Sequence, residues 1–222
     1  MMIRTFRPLL FAPWTWVSLA CEKDTGQPVY EYVEVSESGT RLVGCNGSSL
    51  HIAKLTESCG YEDGLWHHRT MRRDLSERQY PKVDALLRRC ETKSDRELGR
   101  ITSDVLPEFL AVLAANIAYC RALGDAPRGW HDKKFRPTSR SPVRLSAAGH
   151  LLDAGYLLDA LSGFATRQLY LDATIFVGST ADPIVIRESG GARHAVIMPM
   201  RMREEFSVSP RWDVSDLLEQ AS

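Results

Sequence analysis

The 222-residue sequence has no net charge, since 28 Lys and Arg balance 28 Asp and Glu. General affinity for nucleic acid or acidic surfaces is thereby excluded as a property of the whole chain, and any such contact must come from local clusters. A C-x-x-C pair is also lacking. The five cysteines, Cys21, Cys45, Cys59, Cys90 and Cys120, are odd in number and widely spread, which argues against a disulfide framework or a zinc knuckle and points to a reducing cytoplasm. No apolar run reaches the roughly 18 residues of a membrane span. Over residues 1–21 the apolar stretch is broken by Pro8 and Pro13, so neither export nor membrane insertion is expected. Missing too are a G-x-S-x-G elbow, an H-E-x-x-H pair and a phosphate-cradling glycine loop. His131-Asp132 is adjacency without a nucleophile, while Cys59, His67 and His68 have zinc-ligand chemistry at no common zinc spacing. The chain is expected to be no enzyme and to need no cofactor or metal.

What is present is an ordinary globular composition, 44% hydrophobic and 25% charged, enough for a sizeable core. A short extended start at 3–7 leads into helical spacing over 9–21 (Leu10, Trp14, Val17, Leu19, Ala20), stopped at 24–28. The period then changes to two over 29–35. Strands at 41–45 and 50–55 flank Asn46-Gly47, a strong hairpin signal. Further on, 65–72 reads as a strand, 83–90 as a short helix, and 103–123 as a helix carrying Leu106, Leu110, Leu113 and Ile117 and stopped by Gly124. Residues 125–142 form a basic loop with prolines. The opening order then returns, with a strand at 143–147, a helix at 153–162, and strands near 168–171, 174–177, 184–187 and 195–199. Two strand–helix–meander units with antiparallel sheet therefore bracket a helical insert, an α+β arrangement with an internal repeat. The divisions are 1–55 (first half), 56–142 (linker and helical, basic insert), 143–202 (second half) and 203–222 (tail).

Three stretches resemble the bacterial DNA sliding clamp, the beta subunit of DNA polymerase III. Residues 155–161 (Gly-Tyr-Leu-Leu-Asp-Ala-Leu), 182–187 (Asp-Pro-Ile-Val-Ile-Arg) and 195–202 (Ala-Val-Ile-Met-Pro-Met-Arg-Met) are similar to that family's last domain, which ends in M-P-M-R-L. Residues 42–53 resemble its middle-domain segment A-T-D-G-H-R-L-A, and 78–87 resemble its linker R-F-P-D-Y-R-R-V-L. The resemblance implies a clamp-like fold with sheets outside and helices towards DNA. It also implies a partner-peptide pocket of Gly47, Leu50, Pro81, Leu86, Val196, Met198, Pro199 and Met200. Ser48 and Ser49 stand where the family has His and Arg, and Asp84 and Ala85 replace the linker's paired arginines. The chain is short for a three-domain clamp, and its altered form suits a phage or mobile-element member.

Leu, Val, Pro and Met offer apolar area to an aromatic or leucine anchor, and Met adapts to several partners. The implied partners are replication or repair proteins bound through short peptide motifs, double-stranded DNA held by Arg121, Arg128, Lys133, Lys134, Arg136 and Arg140, and further copies of the chain closing a ring. The alternative is a clamp-fold interaction protein that forms no ring and acts as a decoy or inhibitor of a host protein. A third reading is a DNA-binding enzyme on a borrowed fold. Residues 214–218 (Val-Ser-Asp-Leu-Leu) resemble a clamp-docking peptide able to fold over the chain's own pocket.

Overall fold

A computed structural model describes residues 8–21, 27–76, 78–122, 141–145, 149–165, 171–200, 214, 217 and 218, the side chains of 8–12, 121 and 122 excepted. The helices are α1 (Pro8–Leu19), α2 (Val83–Lys93), α3 (Leu106–Ala122) and α4 (Ala154–Ser162). The first half contributes β1 (Tyr32–Ser36), β2 (Arg41–Cys45) and β3 (Ser49–Lys54), and the linker after it β4 (Gly64–His67). After β5 (Arg96–Ile101) and the short pair β6 (Pro142–Arg144) and β7 (Leu151–Asp153), the second half contributes β8 (Ala173–Val177), β9 (Ile184–Glu188) and β10 (Arg193–Ile197).

Eight of these strands form one antiparallel sheet in the order β4-β1-β2-β3-β10-β9-β8-β5. The order is palindromic about the β3–β10 junction: each half is a three-strand meander, and each is extended at its outer edge by a strand from the 56–142 stretch. The architecture is α+β with antiparallel sheet, built on the repeat that the periodicity implied. Among the described residues no helix is long and apolar enough to cross a membrane.

Strand alternation sends side chains to two faces. On the helix side, Val33, Val35, Leu42, Ala53, Ile175, Ile184, Ile186, Ala195 and Ile197 pack with α1, α3 and α4 in the main core. On the other side, Val43, Cys45, Leu50, Ile52, Val185 and Val196 form a second core with Val83 and Cys90 of α2. Helix α1 lies so close to the sheet that a Cβ on Gly44 would collide with the Val17 carbonyl. Trp16 stacks on His51 with ring centroids 4.8 Å apart and donates its indole N–H towards the Ala160 carbonyl of α4 at 3.0 Å.

Several elements differ from the sequence reading. Pro28 starts a turn of 3-10 helix over Pro28–Glu31, so the first strand begins only at Tyr32. Strands β5 and β7 were not anticipated: β5 is rich in charge and carries a register irregularity at Glu97/Gly99, and β7 has three residues. The expected extended start at 3–7 lies outside the described residues, as does most of the expected strand at 168–171. Within the tail, Val214 donates its N–H to the Arg144 carbonyl at 2.9 Å, and Val214 and Leu218 are buried in the helix-side core. The expectation that this segment folds over the pocket residues is therefore corrected: it docks on the opposite side of the sheet.

Candidate functional site

The β3–β10 pair is where the two halves meet, and most of the pocket residues implied by resemblance gather at one end of it. Leu50 and Val196 are register partners. Both belong to the second core and are only 2% and 4% exposed, so they lie buried beneath the surface where α2 meets the ends of β3 and β10, termed the furrow. Burying such side chains contributes about 1.5–3 kcal/mol each, which means these positions also serve stability.

The β2–β3 turn walls one end. Asn46 Oδ1 accepts from the N–H groups of Ser48 (2.9 Å) and Ser49 (2.7 Å), the side-chain-to-backbone bonding that makes Asn a turn former. Gly47 is exposed and has φ +81°, a left-handed conformation that glycine adopts without strain. A side chain added there would approach the Tyr30 hydroxyl at 3.6 Å. Met198 continues β10 by one bond, donating its N–H to the Ser48 carbonyl at 2.8 Å, and its side chain is 44% exposed. Pro199 has no N–H and ends the pairing. Met200 then donates to the Leu151 carbonyl at 2.9 Å, drawing the chain towards β7.

The third wall is α2 with the residues before it. Val83, Leu87 and Cys90 recur at helical spacing and face the second core. Tyr80 packs there too and donates its hydroxyl to the Val43 carbonyl at 3.3 Å. Burial first, and nearby Cys21, Cys45 and Glu34 second, push the Tyr80 phenol well above its ordinary range, so it stays a neutral donor. The two flanks of α2 differ. Asp84 pairs with Arg41 of β2 at 2.6 Å and Glu91 with Arg187 of β9 at 2.8 Å, both on one flank. Helical spacing puts Leu86, Arg89 and Lys93 on the other. That flank faces the end of the sheet holding Gly47 and Met198, because Lys93 reaches Asp182, beside the start of β9, at 3.1 Å. Leu86 is 37% exposed, and Pro81 is half-buried just before the helix.

The structure thus brings Leu50 and Val196 together with Val83 of α2 in one buried cluster, sets Gly47 and Met198 at the same end of the sheet, leaves Pro81 before α2 and Leu86 exposed on it, and leads Pro199 and Met200 away towards β7. Sequence reasoning missed Tyr30, Tyr80, Val83, Leu87 and Cys90, although the spacing of the last three was a readable signal. Arg128, Lys133, Lys134, Arg136 and Arg140 lie outside the described residues, as does the side chain of Arg121. On the helix side, α1 has no charged residue and α4 has only Asp159. A cleft of about 340 Å³ lies between α3 and α4, lined by Ala114, Ile117, Ala118, Asp153, Gly155 and Leu158 among others. It is a gap left by small side chains on the helix side, away from the furrow. Cys59, His67 and His68 do not converge on a metal site, and no other cluster of three His, Cys, Asp or Glu does so among the described residues.

A palindromic eight-stranded sheet with α1, α3 and α4 on one face and α2 on the other is an arrangement known in solved proteins. The fold is that of the bacterial sliding clamp. The sliding clamp of Pseudomonas aeruginosa superposes with a TM-score of 0.59 at 12% identity, over 87% of this chain and 64% of that one. The Bacillus subtilis sliding clamp gives 0.58 at 15% identity, over 88% and 63%. The Helicobacter pylori beta clamp bound to a DNA ligase peptide gives 0.52 at 13% identity, over 88% and 64%. The chain therefore spans less than two thirds of the length of these clamps. No protein-family profile and no curated protein matches the sequence.

Proposed function

We propose that this chain is a sliding-clamp-like accessory protein of DNA replication or repair, without enzymatic activity, that works by docking short peptide segments of its partners in the furrow across the β3–β10 junction. One observation supports the reading: Leu50, Val83 and Val196, from three distant segments, meet in one buried cluster, and the exposed Leu86 and Met198 lie on the elements that form it. An apolar anchor of the partner lies between the exposed Leu86 and Met198, above the buried Leu50 and Val196, and the hot-spot contribution comes from those few contacts. The Helicobacter pylori clamp bound to a DNA ligase peptide supplies the probe. Labelled peptide of that kind is expected to bind, and Met198→Asp and Leu86→Asp, both at exposed positions, are expected to weaken binding at least about tenfold. Tyr119→Asp, on the exposed face of α3, is the control that leaves it unchanged. Equal binding by all three variants removes the furrow as the site.

A second reading, a clamp-fold interaction protein that forms no ring and acts as a decoy or inhibitor, draws support from the sheet edges and the helix side. The outer edge of β4 is occupied by the chain's own 72–74 segment, through His67 N–H to Arg72 O (2.9 Å) and Asp74 N–H to Leu65 O (2.8 Å). The edge strand β5 is rich in charge and has an irregularity in its pairing with β8, devices that discourage edge-to-edge pairing. Encircling DNA requires several copies and cations directed at the duplex, and α1 and α4 supply none. Light scattering with and without DNA separates the readings: a discrete trimer or hexamer supports the ring, and a monomer or dimer the non-ring protein.

A further inference from the structure

We propose that the segment accepted by this furrow is acidic, with one or two apolar anchors flanked by carboxylates. The proposal rests on the docking reading above and adds the charge of the partner to it.

The asymmetry of α2 carries the argument. Its far flank is neutralised internally, Asp84 by Arg41 and Glu91 by Arg187. Its near flank places Lys82, at the N-cap, and Arg89 on either side of the exposed Leu86. Among the described residues no acid pairs with Lys82 or Arg89, whereas Lys93, one turn beyond Arg89, is neutralised by Asp182. The remaining walls are uncharged: Gly47, Ser48, Met198, Tyr30 and Tyr80, whose phenol is kept protonated by burial. Two cations without an acid partner among the described residues thus flank Leu86, while Glu34, the carboxylate near Tyr80, is pushed towards its neutral form by burial.

An apolar anchor laid between the exposed Leu86 and Met198 brings its neighbouring residues against this flank. Carboxylates there meet a guanidinium able to bind them bidentately and an ammonium about two turns away. Lysine or arginine in the same place would meet like charge. Rim charges of this kind act on association rate and salt dependence more than on the packed contact itself. The chain's own 213–219 stretch has this acidic, leucine-bearing composition, but Val214 and Leu218 are buried in the helix-side core, so the occupant comes from another protein.

The test compares two labelled synthetic peptides on the full chain, one with adjacent leucines flanked by aspartates and one with asparagine in place of each aspartate. The acidic peptide is expected to bind about tenfold more tightly at low salt, with the advantage shrinking as salt rises. Arg89→Glu combined with Lys82→Glu is expected to abolish the preference, and Arg89→Lys to keep most of it. Thermal melts of the variants verify that they fold. Equal binding of the two peptides, lost in Met198→Asp, overturns the charge assignment while leaving the docking reading standing. Binding of neither peptide, or binding indifferent to Met198→Asp, overturns both.

Discussion

Leu50 and Val196 face one another across the β3–β10 pair, the seam joining the two halves of the sheet, and Val83 and Cys90 of α2 belong to the same buried cluster. This contact lies in the seam and beneath the proposed docking surface, so stability and docking are linked at these positions and separable at the rim.

Truncating the seam is costly. Leu50→Ala is expected to lower unfolding free energy by about 2–5 kcal/mol, as a buried leucine leaving a cavity does. Because Val196 lines the same site, the Leu50→Ala, Val196→Ala double variant should show a coupling of about 0.5–3 kcal/mol relative to the sum of the singles. Urea unfolding of the three variants measures this; strict additivity would mean the two side chains do not share a packed site.

Close approach fixes α1 and the end of α2. A Cβ on Gly44 would meet the Val17 carbonyl, and one on Gly178 would meet the Lys93 carbonyl, both backbone atoms that cannot swing away. Gly44→Ala and Gly178→Ala are each expected to cost about 3 kcal/mol or more, the upper range for overpacking. Since Gly178 abuts the end of α2, its variant should also weaken peptide docking, whereas Gly44→Ala acts on the opposite face. Paired melts and binding titrations check both.

Acid weakens the fold through His51. Its Nδ1–H donates to the Trp16 carbonyl at 3.0 Å, and Nε2 is buried without a partner. Burial pushes its pKa down from 6.5 to about 4. The unfolded chain therefore binds the extra proton first, and stability present above pH 6.5 is lost as pH falls towards about 4, up to about 3 kcal/mol from this group. Burial lowers His68 and His194 in the same direction. Glu34, raised by burial, acts with the opposite sign: its share is lost as pH rises. Unfolding measured between about pH 7 and about pH 4.5 should show the decline, and His51→Phe, which keeps a ring against Trp16, should flatten it. An unchanged slope would assign the decline elsewhere.

The tail stabilises without occupying the furrow. Leu218→Ala is expected to lower stability by about 2–4 kcal/mol and to leave peptide affinity unchanged, because Leu218 belongs to the helix-side core. Enhanced docking by that variant would mean the tail competes for the furrow.

Much of this fold is legible in the chain. Alternation and Asn46-Gly47 give β2, β3 and their turn because one strand face must be apolar and only a left-handed residue closes so tight a loop. Strand β5 escapes because Arg96, Glu97 and Arg100 at a sheet edge mask any alternation, and β7 because three residues carry no period. The furrow is legible only in part. Periodicity marks Leu50 and Val196 as buried but cannot say that they oppose each other, since pairing between distant strands is set by the whole sheet. The neutralised and free flanks of α2 depend on Arg41 and Arg187, which the topology brings to the helix from β2 and β9.

The most direct test of docking at the seam is amide NMR of the labelled full chain titrated with a DNA ligase peptide of the kind bound to the Helicobacter pylori clamp. Shift changes concentrated at 47–50, 80–89 and 196–198 are the predicted result. Changes confined to the α3–α4 cleft, or none at saturating peptide, would contradict it.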